Sequence, residues 1–201
     1  MQTKNKKVYS PSKKLFVLLM LFTMCNALSF SQNVGIRTNL AHWATIGSPN
    51  LGVEFALNRH FSLEIGAGFN LWELGDNRKA KHWLVQPEIR YWFCETFNGH
   101  FIGLHGIGGE FNIGGVDIPI GRLSRFRDYR YEGFAVGAGV SYGYQWIIGR
   151  RWNLELNIGA GWAHLTFDQF PCVRCGDLIR SGRTNYFGIT KAAISFIYFL
   201  N

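Results

Sequence analysis

Residues 152–163 read WNLELNIGAGWA and sort by parity into Trp152, Leu154, Leu156, Ile158, Ala160 and Trp162 against Asn153, Glu155, Asn157, Gly159 and Gly161. Side chains alternate across an extended strand, so one face of this segment is apolar and the other small or polar. The period recurs. Residues 61–72 set Phe61, Leu63, Ile65, Ala67, Phe69 and Leu71 against Ser62, Glu64, Gly66, Gly68 and Asn70, and residues 131–148 do the same with Phe134 through Trp146 against Gly133 through Gln145. With 34–41, 51–57, 82–93, 100–111 and 184–200 these segments predict eight strands, and no segment carries a convincing helical period. The stretch HFIGLHGIGGEF at 100–111 leaves open which parity faces outward.

The connections carry a second, independent pattern. In chain order they are HWATIGSPN, NRH, ELGDNRKAK, CETFNG, a stretch from Asn112 to Arg130, GRR, and a stretch from His164 to Arg183, so that long and short alternate throughout. An up-and-down barrel places odd connections at one end and even ones at the other, and bacterial transmembrane barrels have long outer loops with short periplasmic turns. Both chain ends are then expected on the periplasmic side.

The two faces decide between two architectures. A soluble, secreted barrel with the apolar series inside would expose a glycine-rich surface and crowd large aromatics into a narrow interior. The reverse arrangement turns the apolar series to lipid, with tryptophans near both ends of the 152–163 strand where interfacial girdles belong. Small inward residues then leave room for Arg37, Glu54, Glu64, Glu88, Arg90, Glu155 and Lys191, four acids against three bases, which are expected to pair in the lumen because unpaired buried charges are very costly. The fold expected is all-β: an eight-stranded antiparallel up-and-down transmembrane β-barrel. Strands of about 10 residues tilted by about 45° cross an apolar band about 25 Å tall, which suits these segments.

The chain opens with MQTKNKKVYSPSKK, then LFVLLMLFTMCNAL and small residues, the order of a secretory signal peptide. Cleavage is expected after Ser29 or Ser31, giving a removed segment 1–31 and a single outer-membrane barrel domain over 32–201 that starts near Gln32. Residues 1–31 hold five of the 21 basic residues and none of the 13 acids, so the net charge falls from +8 to +3 without them. The basic isoelectric point therefore belongs largely to the leader and does not argue for nucleic acid.

The stretches SPNLGVE, LVQPEIRYWFCETFNGHFIGLHG, YEGFAVGAGVSYGYQW, RWNLELNIGAGWAHL, CVRCG and YFGITKAAISFIY, in that order, resemble an uncharacterised domain-of-unknown-function family of Bacteroidota outer-membrane proteins. The block around Gln86, Pro87, Glu88, Arg90, Tyr91 and Trp92 is the most specific part, and the likeness runs through essentially the whole chain after the leader. The resemblance implies an outer-membrane barrel of a Gram-negative bacterium and, because such genes often lie beside fimbrial genes, a role in fimbria assembly or surface attachment. It brings no catalytic residues to transfer.

Local features supply further candidates. Cys172 and Cys175 lie in the last long connection, outside the reducing cytoplasm, and a small disulfide-closed turn is their expected state. No second CxxC or His pair completes a metal set, and no metal or cofactor is expected. Cys94, in a short turn at the opposite end, is expected as a free thiol. Arg122, Arg125, Arg127 and Arg130 outnumber Asp128 in the third long connection and form a basic patch suited to lipopolysaccharide or an acidic partner. The glycine-rich GIGGEFNIGGVDIPIG lacks the lysine and strand-to-helix context of a phosphate loop. His164, Thr166 and Asp168 could align an imidazole, a hydroxyl and a carboxylate for lipid chemistry, although no oxyanion hole is visible.

Three function classes follow. The first is a non-enzymatic outer-membrane barrel assisting assembly or anchoring of a surface structure such as fimbriae, with outer-membrane lipid, lipopolysaccharide and envelope proteins as partners. The others are a lipid-modifying enzyme and a small-solute pore, the last disfavoured because a salt-bridge network plugs so narrow a lumen.

Overall fold

The computed structural model describes residues 34–71, 73–74, 78–115, 129–171 and 176–200. Its elements are β1 (Val34–Asn39), α1 (Leu40–Ile46), β2 (Asn50–Ala56), β3 (Phe61–Asn70), β4 (Glu73–Leu74), β5 (Arg78–Trp92), β6 (Gly99–Gly114), β7 (Tyr129–Ile147), β8 (Trp152–Pro171) and β9 (Arg180–Phe199). All pairings are antiparallel. Each long strand pairs with the next, β3 with β5, and β9 returns to β1 through registers such as Arg37 opposite Ile197, so that eight strands close a ring. The two-residue β4 only prolongs the hairpin on β5, where Glu73 faces Lys79. The fold is therefore all-β and up-and-down, and closure removes the unpaired edges that an open sheet would expose.

The strand ends that flank 57–60, 93–98 and 148–151 lie at one end of the ring, and those that flank 40–49, 71–77, 115–128 and 172–179 lie at the other. Two sequence expectations change here. The stretch from His164 to Arg183 is mostly strand, because β8 runs to Pro171 and β9 starts at Arg180, with Thr166 opposite Arg183 and Asp168 opposite Ser181. Pairing continues there although the apolar face has ended, so the alternation that marks a strand in sequence is missing. Likewise β6 and β7 shorten the stretch from Asn112 to Arg130 to 115–128.

The second change is the helix α1. Asn39 caps it by accepting from the Ala41 N–H at 3.0 Å, and Gly47, at φ 59°, closes it with its N–H on the Trp43 carbonyl. Seven residues are too few to display a 3.6-residue period against flanking strands.

The barrel is inverted relative to a soluble core. Sixteen polar or charged side chains are buried among the described residues against six apolar ones, while Phe61, Ile65, Phe69, Val140, Tyr142, Leu156, Ile158 and Trp162 are exposed. In a water-soluble domain the bias runs the other way. On β6 the structure settles the parity that the sequence left open: Phe101 and His105 are buried inside and Ile102 and Leu104 face outward. Glycines admit the large inward groups. A Cβ on Gly143 would stand 2.3 Å from Phe101, and one on Gly103 would stand 2.6 Å from the Glu88 carboxylate.

Strand β9 contains one irregularity. Gly159 faces Lys191 but Ala160 faces Ile189, which leaves Thr190 as an extra, unpaired residue. Such a bulge turns two consecutive side chains to one face. Lys191 and Thr190 both point inward, Lys191 to carboxylates and Thr190 to His105.

Candidate functional site

The lumen is built in layers. At the end carrying the short connections, Trp92 of β5, Phe101 of β6 and Phe97 of the 93–98 turn form a buried aromatic plug, with Phe199 packed against it. Ring centroids lie 4.7 Å apart for Trp92 and Phe101 and 4.8 Å apart for Phe97 and Phe199. Phe97 adopts φ 68°, a left-handed conformation that is uncommon for a bulky residue, and its carbonyl accepts from the buried Asn153 amide at 3.0 Å.

Above the plug stands the charged layer. Glu54, Glu64 and Glu88 are direct cross-strand neighbours on β2, β3 and β5, a row that would repel itself without intervening cations. Arg90 supplies the first. Its Nε donates to Glu88 at 2.6 Å, its Nη1 to Glu54 and to Glu155 at 2.9 Å each, and its Nη2 to Glu64. Arg37 donates to Glu54 at 2.8 Å and to Glu155, and its Nε lies 3.4 Å from Glu64. Lys191 Nζ reaches Glu64 at 2.8 Å and Glu88 at 3.0 Å. All seven residues singled out from inward parity thus meet in one buried cluster.

Neutral groups complete it, and these the sequence reading missed. Ser62 Oγ donates to Glu54 at 2.7 Å and accepts from Trp92 Nε1 at 2.9 Å, which joins the plug to the charged layer. Ser141 donates to Glu88 at 2.5 Å, and Asn157 does so at 3.3 Å. The Arg90 guanidinium also lies 4.5 Å over the Phe101 ring. His105 sits beside the cluster, 4.0 Å from Glu88, with its other nitrogen 2.8 Å from Thr190 Oγ1. Strict parity on β5 points Trp92 inward with Glu88 and Arg90; for His105 and Thr190 no such signal existed, because β6 reads ambiguously and a bulge breaks β9.

The remaining candidates lie elsewhere. His164, Thr166 and Asp168 belong to the outward set of β8, two residues apart and therefore about 6.5 Å from one to the next along the strand. His164 Nδ1 is 2.9 Å from Asn185 Oδ1, and no hydrogen bond joins the three to one another. Arg130 Nε lies 3.1 Å from Glu132, and its guanidinium stacks over Phe170. Arg122, Arg125, Arg127, Cys172, Cys175 and the expected signal segment lie outside the described residues. Cys94 is exposed and unbridged. Among the described residues no group of three His, Cys, Asp or Glu is arranged to hold a metal ion.

Fold and lumen together define a class: a closed eight-stranded up-and-down barrel whose interior is filled by paired charge. The chain belongs to a family of proteins of unknown function (DUF3575), whose model matches residues 15–200. No curated protein and no solved structure matches it.

Proposed function

We propose that this protein is a transmembrane barrel of the bacterial outer membrane that acts without catalysis, as an anchor or assembly aid for a surface structure such as a fimbria. The observation that carries the reading is an apolar outer wall around a core whose seven buried charged side chains are all ion-paired. That combination suits lipid outside and leaves no passage inside.

Dimensions support it. The outward tryptophans Trp152 and Trp162 of β8 are ten residues apart, about 33 Å along the strand and about 23 Å along the membrane normal at a tilt of about 45°. An apolar band flanked by aromatic girdles is about 25 Å tall. Strands of 15 to 20 residues, as in β5 to β9, then project beyond the band on the side of the longer connections. Paired strands that project beyond the band form a platform for a partner, and the separation of His164, Thr166 and Asp168 favours the non-enzymatic reading.

The test is a pull-down from detergent-solubilised outer membranes of the native host with the tagged mature protein, with and without residues 116–128. Recovery of fimbrial or other envelope subunits only with that segment present supports the assembly role. Recovery of lipid and lipopolysaccharide alone from both proteins overturns it.

A further inference from the structure

We infer that the outer wall carries a binding site for a lipid whose headgroup bears an ammonium, an inference that rests on the membrane reading above. A cleft of about 500 Å³ spans β3, β5, β6, β7 and β8 at the end of the longer connections. It lies on the outer face. Ten of its fourteen lining residues have outward parity, the inward His82, Phe111, Gly133 and Phe167 each lie between two of them on the strand, and no residue of β1, β2 or β9 from across the lumen contributes.

The lining forms two cross-strand rows. Phe69, Trp83, Glu110, Phe134 and Thr166 form one, in which the carboxylate of Glu110 accepts from Trp83 Nε1 at 3.0 Å between the aromatic rings. Lys81, Asn112, Glu132 and Asp168 form the next, toward the longer connections. The three acids outnumber the one lysine lining the cleft.

Glu132 and Asp168 are direct cross-strand neighbours. Like charges so placed repel unless a cation sits with them. Arg130 touches Glu132 at 3.1 Å, but its guanidinium is stacked over Phe170, and Asn112 orients Glu132 by donating at 2.8 Å. Among the described residues the Asp168 carboxylate makes no ion pair or hydrogen bond. An ammonium seated against Asp168 and Glu132 supplies the missing charge while its chain runs down past Phe134, which follows Glu132 on the same face of β7. A phosphate or carboxylate headgroup would meet the acids instead.

The test uses the full mature barrel reconstituted in phosphatidylcholine bilayers with chain-nitroxide probes: stearylamine, stearic acid and phosphatidylcholine. Electron paramagnetic resonance measures the motionally restricted fraction of each at the protein surface. The expected result is an association of the amine about threefold above that of phosphatidylcholine, the size of effect one exposed ion pair gives, falling to parity in Glu132→Gln/Asp168→Asn. Equal association of all three probes, or an amine preference unchanged in the variant, overturns the site while the restricted phosphatidylcholine fraction still reports a barrel in the bilayer. Absence of any restricted fraction overturns the membrane reading and this inference with it.

Discussion

Arg90 on β5 and Glu155 on β8 stand three strands apart around an eight-strand ring, and their side chains meet across the lumen at 2.9 Å. A bond of this kind ties opposite walls together, and the same guanidinium also pairs with Glu54, Glu64 and Glu88, so that Arg90 joins four carboxylates.

Replacing Arg90 by Met keeps most of the volume and removes the charge. The four carboxylates are left with two cations, and loss of one partner from a buried ion cluster costs about 3–5 kcal/mol. The expected outcome is a lower midpoint of urea unfolding in detergent, followed by circular dichroism or by the gel shift of the heated barrel. An unchanged midpoint would show that the cluster contributes nothing to holding the walls.

The bulge at Thr190 makes a sharper prediction. Deleting Thr190 leaves Gly159 opposite Lys191 and Ala160 opposite Ile189 in regular alternation, so that Lys191 still points to the carboxylates and the segment 180–189 keeps its faces. The deletion removes the hydroxyl that faces His105 and is expected to form the compact, heat-modifiable barrel. Thr190→Ser keeps that hydroxyl and should fold as the parent does; a deletion that no longer folds would mean that the local bend of the bulge is needed to close the ring.

The lumen is closed twice, by the aromatic plug and by the ion cluster above it. Wild-type protein in planar bilayers is expected to show no stable open channel. Phe97→Ala removes the turn's contribution to the plug and leaves the cluster in place, so it too should stay closed. Steady single-channel steps from Phe97→Ala would place the barrier in the plug alone.

Cys94 gives a topological test. It is exposed in the 93–98 connection, at the end that also holds both strand termini of the ring. In a variant with Cys172 and Cys175 replaced by Ser, a membrane-impermeant maleimide should not label Cys94 in intact cells and should label it after the outer membrane is permeabilised. Equal labelling before and after would reverse the proposed orientation.

Much of this architecture is written locally. Parity within each strand states which side chain shares a face with which neighbour, because successive residues must point to opposite sides of a pleated backbone. Arg37, Glu54, Glu64, Glu88, Arg90, Glu155 and Lys191 could therefore be assigned to one face from sequence, as could the apolar series from Trp152 to Trp162. The face of β6 could not, since glycines occupy both parities from Gly103 to Gly109.

What parity cannot state is which inward group meets which. Lys191 and Glu64 are 127 residues apart, and they touch only because ring closure brings β9 round to β1, β2 and β3. The insertion of Thr190 and the turn that swings Phe97 under Trp92 are likewise set by packing within a closed lumen. The sequence by itself determined the eight long strands and, outside β6 and the bulge at Thr190, the residues they turn inward, because alternation is a property of neighbours. The tertiary structure alone decided the pairing of charges and the plug beneath them, because those contacts exist only once eight strands have closed on one another.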